Sequence, residues 1–216
     1  MRVGFIGLGN VGGKLAYSLL RNGFELMVHD LQRAAASPLL ETGAKWGENG
    51  AEIARYSDVV ITCLPSPQAS AEALEGEGGV LTGLSAGKIW LEMSSSDHQE
   101  VLRLGERVTA LGADALDSPV SGGCHRAATG NIAIFTGGAR AAFERALPVL
   151  TTIGREVLHT GPLGSASILK VATNYLAGVH LIATGEALMV VKKAGIDLGV
   201  AYEAIRISSG NSFVHE

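Results

Sequence analysis

Residues 2–12, RVGFIGLGNVG, carry the strongest constraint in this chain. A short apolar run, Arg2–Ile6, breaks at Gly7 and passes within a few residues into a helical pattern over Val11–Asn22, with Val11, Leu15, Leu19 and Leu20 on one stripe. The run has the composition of a strand, and the stripe has the spacing of an amphipathic helix. Gly7, Gly9 and Gly12 fill the junction, separated by Leu8, Asn10 and Val11. The first glycine permits a tight turn, the second lets backbone approach a bulky group closely, and the third lets the helix pack tightly on the strand. A chain that begins this way begins a β-α-β unit.

The rest of the chain repeats the alternation. Phe24–His29 reads as a second strand after Gly23, which fits a helix C-cap. Gln32–Thr42 reads as a helix interrupted near Pro38, followed by a weak strand at Ala44–Trp46 and a short helix from Asn49 to Arg55. Asp58–Leu64 and Lys88–Met93 are continuous apolar runs of the kind found in parallel strands buried on both faces. A helix over Asp97–Leu111, strands at Ala113–Asp117 and Asn131–Thr136, a helix over Arg140–Ile153 and a strand at Glu156–His159 complete the series. The fold class that follows is α/β, a Rossmann-type doubly wound parallel sheet over residues 1–162.

From residue 163 the character changes. Ser165–Ala194 has no breaker except isolated glycines and predicts one helix of about 30 residues, or ~45 Å. Its apolar residues cover most of its circumference, so it must be covered on nearly all sides. A second helix is predicted over Asp197–Ser209. Residues 163–216 thus read as the opening of an all-α, dimerisation-type second domain that looks incomplete. A second subunit is the expected cover, and the expectation is a homodimer or homotetramer. Val171–Val191 is long enough to span a bilayer, but Asn174, His180 and Glu186 lie within it, and such residues are expensive in lipid. No membrane partner is expected.

Composition narrows the function classes. Glycine, at 29 of 216 residues, is about twice its usual share, which points to tight turns or close approach to a ligand. A formal net charge of -4 gives no reason to expect nucleic acid. Two cysteines, Cys63 and Cys124, make neither a disulfide framework nor a zinc site by themselves, and no metal is expected. The opening residues lack a basic n-region followed by a long apolar run, so the expected compartment is the cytoplasm.

The chemistry-bearing residues can now be placed. Gly7, Leu8, Gly9, Asn10, Val11 and Gly12 lead from a strand into a helix N-terminus, whose dipole and N–H groups suit a pyrophosphate. Asp30 closes the second strand roughly twenty residues on from Gly7, where a carboxylate accepts bonds from ribose hydroxyls. Together these predict dinucleotide binding, with NAD preferred over NADP because Asp30 would repel a 2′-phosphate. Arg33 lies close enough to qualify that preference. Two further strand ends, Leu64-Pro65-Ser66-Pro67 and Glu92-Met93-Ser94-Ser95-Ser96, line the same crevice or are merely loops. Ser121, Gly122 and Gly123 follow another strand and form either a tight turn or a backbone nest for a carboxylate. Lys170 and Asn174 stand at i and i+4, on one face of the long helix. A lysine there must snorkel, pair or work.

In sum these residues resemble the β-hydroxyacid dehydrogenases, the family of 3-hydroxyisobutyrate dehydrogenase and tartronate semialdehyde reductase. The resemblance covers essentially the whole chain through GFIGLGNVG, LEMSSSDH, DSPVSGG and GPLGSASILKVATN, in order. It implies a second domain like that of 6-phosphogluconate dehydrogenase, and members that run on for about 70–80 residues past Glu216. It implies that the first segment holds the cofactor and that the second lies beside the nicotinamide. Ser121, Gly122, Gly123 and Asn174 would bind a small carboxylate substrate, Lys170 would be the general acid/base, and Leu64, Pro65 and Ser95 would touch the cofactor. The reaction implied is hydride transfer between NAD and the hydroxyl carbon of a small 3-hydroxy acid or its semialdehyde. A lysine titrating near pH 8 instead of about 10.4 requires ~3.3 kcal/mol, which burial of an ammonium can supply.

Some positions depart from the family pattern. Val11 and Leu15 stand where Met is usual, Glu92 where Asp is, and His98 where Pro is frequent. Thr173 replaces the first Asn of a pair. His125 and Arg126 occupy a loop that is usually small and neutral, and either lie in solvent or tune the site toward a more anionic substrate. Two alternatives remain: a non-catalytic dinucleotide-binding scaffold, and an imine reductase-like enzyme. Imine reductases usually carry Asp or Tyr at the Lys170 position. A methyltransferase using the glycine loop would leave DSPVSGG and Lys170 without a role.

Overall fold

The apolar runs become parallel strands because each is buried on both faces, and each crossover supplies a helix to cover one face. The computed structural model describes residues 1–215. Strands β1 (Arg2–Ile6), β2 (Glu25–His29), β3 (Lys45–Trp46), β4 (Val59–Thr62), β5 (Ile89–Glu92) and β6 (Asp114–Asp117) lie in the order β3-β2-β1-β4-β5-β6, all parallel. The order reverses between β1 and β4, so the crevice at their carboxyl ends is where such a sheet binds ligands. Beyond β6 the sheet becomes mixed. Strand β7 (Val120–Ser121) and β6 both pair antiparallel with β8 (Ile132–Gly138), and β9 (Gly154–Gly161) runs parallel to β8.

Helices α1 (Gly12–Arg21), α2 (Ser37–Glu41), α3 (Gly50–Tyr56), α4 (Pro67–Glu75), α5 (His98–Thr109), α6 (Gly123–Ala128) and α7 (Arg140–Ile153) connect these strands. Leu15 and Leu19 of α1 and Phe143, Val149 and Leu150 of α7 pack in one core with Val3, Phe5, Ile61 and Leu91. Ile53 of α3, Leu74 of α4 and Leu104 and Val108 of α5 pack in a second core with Val60 and Trp90. Neighbours along β4 and β5 thus fall into opposite cores, as the two-residue period of a strand requires.

Two helices lie outside the reading of the sequence. Helix α4 starts with Ser66, whose side chain accepts from Ala69 N–H, and with Pro67 in its first turn. That Ser-Pro pair is a helix-start signal which the loop reading of Leu64–Pro67 passed over. Helix α6 occupies the turn after Gly122 and is too short to show periodicity. Residues 33–41 form a short 3₁₀ turn, Arg33–Ala36, running into α2, where one interrupted helix was expected.

The chain divides into two compact units, Met1–Lys170 and Val171–Glu216. Helix α8 (Ser165–Lys193) is the 29-residue element expected from the sequence. Its buried residues are Ala166, Ser167 and Lys170, all in the first unit. In the second unit α8 is followed by Gly195, whose N–H reaches back to Lys192 carbonyl, and Asp197 caps α9 (Leu198–Arg206) through Gly199 and Val200 N–H. His215 stacks on Tyr202, and Tyr202 hydroxyl donates to the carbonyl of His215. Tyr175, Ile182, Met189 and Val190 of α8 are each about two-thirds exposed or more (70, 66, 66 and 70%). By length and composition alone α8 is long and apolar enough to cross a membrane, with mean hydropathy 1.3.

Candidate active site

The glycine junction adopts the geometry its residues imply. Gly7 has φ +95°, and a Cβ there would strike the carbonyl of Cys63 on the neighbouring strand end. A Cβ on Gly12 would strike the carbonyl of Gly7, so α1 can start this close to the end of β1 only with glycine at position 12. Gly9 is the opposite case. It is exposed, and a Cβ there would meet nothing within 4 Å. Helix α1 then begins without a capping side chain and without an acidic residue in its first turn. Helices α3, α4 and α5 are by contrast capped by Asn49, Ser66 and Asp97, so at α1 it is the positive end of the helix dipole that no side chain offsets. Open space beside Gly9 next to an uncapped helix N-terminus fits a dinucleotide's phosphates.

Asp30, just past β2, is tied into this loop. One carboxylate oxygen accepts from Leu8 N–H at 2.7 Å and the other from Gln32 N–H at 2.8 Å. Each oxygen retains capacity for a further donor, so a ribose diol fits the same carboxylate. Arg33 stacks over Trp46 at 5.0 Å and lies 3.5 Å from Glu48.

The next two strand ends are joined by a buried polar network that the motifs did not reveal. Trp90 indole N–H donates to Thr62 hydroxyl at 2.9 Å, and that hydroxyl contacts Glu92 at 3.1 Å. The other Glu92 oxygen accepts from Ser94 N–H at 2.8 Å, and Ser94 hydroxyl accepts from Leu64 N–H at 2.8 Å. The loops carrying Leu64-Pro65 and Ser95 are therefore held to each other, with Pro65 and Ser95 exposed at the crevice. Burial pushes the Glu92 carboxyl above the ordinary carboxylate range, against the opposing bonds from Ser94 and Thr62. Nearby, burial and then the charge of Glu92 push the Cys63 thiol up to about 12.

On the far side of β5, Ser121 ends β7 and is followed by Gly122 at φ +130° and Gly123 at φ +76°. Consecutive positive φ values are accessible to glycine at no steric penalty, and such a turn can aim backbone N–H groups at a carboxylate. Lys170 is 8% exposed, and desolvation lowers its titration from the usual lysine value. Asn174 follows one turn later in α8, exposed and within the second unit.

Asp117 stands out among the residues the motifs did not single out for a role. It is wholly buried at the end of β6 and accepts three hydrogen bonds from Gly164 and Ser167, at the start of α8. His98 Nδ1 lies 3.1 Å from the carbonyl of the same Gly164. Neither contact is visible in local sequence, because the partners are 47 to 66 residues apart.

Within the first unit, the structure brings Gly7–Gly12, Asp30, Leu64, Pro65 and Ser95 to adjacent strand ends. Ser121–Gly123 and Lys170 follow from elements anchored on β8 and β6. Residues 2–161 match the NAD binding domain of 6-phosphogluconate dehydrogenase, and residues 164–216 match the NAD-binding of NADP-dependent 3-hydroxyisobutyrate dehydrogenase. The 2-(hydroxymethyl)glutarate dehydrogenase of Eubacterium barkeri is 34% identical over 100% of this chain and 72% of its own length. The 3-hydroxyisobutyrate dehydrogenase of Mycobacterium tuberculosis with L-serine superposes with TM-score 0.91 at 27% identity, covering 99% of this chain and 73% of that one. An imine reductase of Myxococcus stipitatus in complex with NADP+ shares the fold, with TM-score 0.86 at 24% identity over 96% of this chain and 71% of that one. From its glycine junction to the start of its long helix, this chain belongs to the β-hydroxyacid dehydrogenase family and has the NAD(P)-binding fold of a hydroxyacid dehydrogenase.

Proposed function

We propose that the chain oxidises a small 3-hydroxy acid, or reduces its semialdehyde, with Lys170 as general acid/base and NAD as preferred cofactor. The observation that carries this reading is the burial of Lys170 at the start of α8, where desolvation favours the neutral amine. A neutral Nζ can accept the substrate hydroxyl proton during oxidation, and the protonated form returns it during reduction. Bound nicotinamide supplies the acceptor or donor of the hydride. Ser121, Gly122 and Gly123 hold the substrate carboxylate through hydroxyl and backbone N–H groups. Asp30 favours NAD by repelling a 2′-phosphate, and Arg33 is engaged by Trp46 and Glu48, which supports the same preference.

His125 and Arg126 are exposed on α6, directly after the carboxylate turn, and the Eubacterium relative is named for a dicarboxylate substrate. Together they support a dianionic member of the substrate class. The exposed apolar residues of α8 support a homodimer or homotetramer.

The test is NAD-dependent absorbance at 340 nm with 3-hydroxyisobutyrate, glycerate, 3-hydroxypropionate, L-serine and 2-(hydroxymethyl)glutarate. Turnover of at least one acid, faster with NAD than with NADP, is the expected result. Tight NADH binding with no turnover of any acid or its semialdehyde would overturn the reading in favour of a non-catalytic scaffold. Reduction of a cyclic imine in place of these acids would favour an imine reductase.

A further inference from the structure

We propose that Asp117 is the positioning residue for Lys170, its buried carboxylate clamping the first turn of α8 and so fixing where the lysine amine stands. This rests on the reading of Lys170 as the acid/base. Asp117 Oδ1 accepts from Gly164 N–H at 2.8 Å, and Oδ2 accepts from the N–H and the hydroxyl of Ser167 at 2.8 and 2.9 Å. These are the orphan donors that every helix N-terminus must satisfy. They are usually met by a side chain one to three residues away. Here the acceptor comes from the end of β6, 47 and 50 residues earlier in the chain.

Lys170 follows Ser167 by three residues, less than one helical turn, or about 4.5 Å of rise. A shift at Ser167 is therefore passed to the lysine almost undiminished. Residue Gly164 is held on both sides, its N–H by Asp117 and its carbonyl beside His98 Nδ1. His98 opens α5, directly after the loop that carries Ser95. Through this one residue the lysine's helix is registered both to the sheet and to the loop proposed to lie beside the nicotinamide. Charge-assisted bonds of this kind, made out of contact with water, hold direction as well as distance. Displacement of a reacting group by about 1 Å lowers a rate by roughly a hundredfold, so the clamp has a kinetic consequence that an ordinary helix cap lacks.

The experiment compares the full chain with Asp117→Asn and Ser167→Ala. The amide at 117 keeps size but leaves one oxygen acceptor where a carboxylate has two, and the alanine at 167 removes one bond of the three. Four quantities are read: kcat, KM, NADH affinity by fluorescence, and hydrogen exchange of the amides at 164–170. For Asp117→Asn we expect kcat to fall about thirtyfold, with KM and NADH Kd within threefold and exchange at 164–170 at least about tenfold faster. Ser167→Ala is expected to lower kcat about threefold, with a smaller rise in exchange. A folded Asp117→Asn that keeps kcat within twofold, or leaves exchange at 164–170 unchanged, overturns the proposal. If Asp117→Asn does not fold, Ser167→Ala decides alone, and kcat indistinguishable from the parent overturns it. Failure of the acid/base reading is seen separately, as turnover by Lys170→Ala while Asp117→Asn still loosens residues 164–170.

Discussion

Two helix N-termini in the first unit meet the same physical demand in opposite ways. Helix α1 starts beside β1 with no capping side chain and no acidic residue in its first turn, its Gly13 and Lys14 N–H groups turned back onto the Gly9 and Val11 carbonyls. Helix α8 starts with its N–H groups already bound by Asp117, an internal anion from β6. An open N-terminus is a binding site for an anion that comes and goes, whereas a closed one is a fixed mount. On the proposed reading α1 serves the cofactor and α8 the reacting group, so binding and turnover should be separable by mutation.

The largest effect expected is on the mounted side. Lys170→Ala should lower kcat by about 10²–10⁴-fold while NADH affinity, measured by fluorescence titration, stays within a few fold. Retention of more than a tenth of the rate would remove the lysine from the mechanism. Breaking the open side should do the reverse. Gly12→Ala places a Cβ against the Gly7 carbonyl and should destabilise the fold by about 1–3 kcal/mol. NADH affinity should fall with it, which thermal melts and titration would read together. An unchanged Kd would mean that the junction does not hold the phosphates.

Asp30→Ser leaves the junction in place but removes the charge, and should move the NAD-to-NADP preference about tenfold toward NADP, read from the two kcat/KM values. The smallest effect concerns the network joining the two cofactor loops. Burial raises the folded-state titration of Glu92 above its unfolded value. Below the ordinary carboxylate range both states are protonated and the group is neutral toward stability. As pH rises above that range the unfolded chain gives up its proton more readily, and stability is lost. Glu92→Gln should therefore raise Tm by about 2 °C at pH 8 and by less at pH 5. An equal change at both pH values would mean that burial does not govern this carboxyl.

Much of the cofactor side was legible because its physics is local. A strand, three glycines and a helix lie within a dozen residues, and Asp30 follows at the end of the next strand. The 29-residue helix α8 was legible for the same reason, since no proline or polar run interrupts it. Helix α6, of six residues, was not, because it is shorter than the window in which a 3.6-residue period becomes visible, and α4 was marked only by its Ser66-Pro67 start. Asp117 stood inside a recognised motif, yet its contacts depend on how β6 and α8 meet.

Sequence by itself determined the alternation of strands and helices, the glycine junction and the residue types at each strand end. All of these follow from short-range sterics and from the periodicity of apolar residues. Tertiary structure alone decided that Glu92 is wholly buried between Thr62 and Ser94, and that Lys170 is desolvated. It alone decided that the helix carrying that lysine is held by a carboxylate from another strand. Burial and long-range hydrogen bonds depend on which elements become neighbours, and that is a property of the packed chain as a whole.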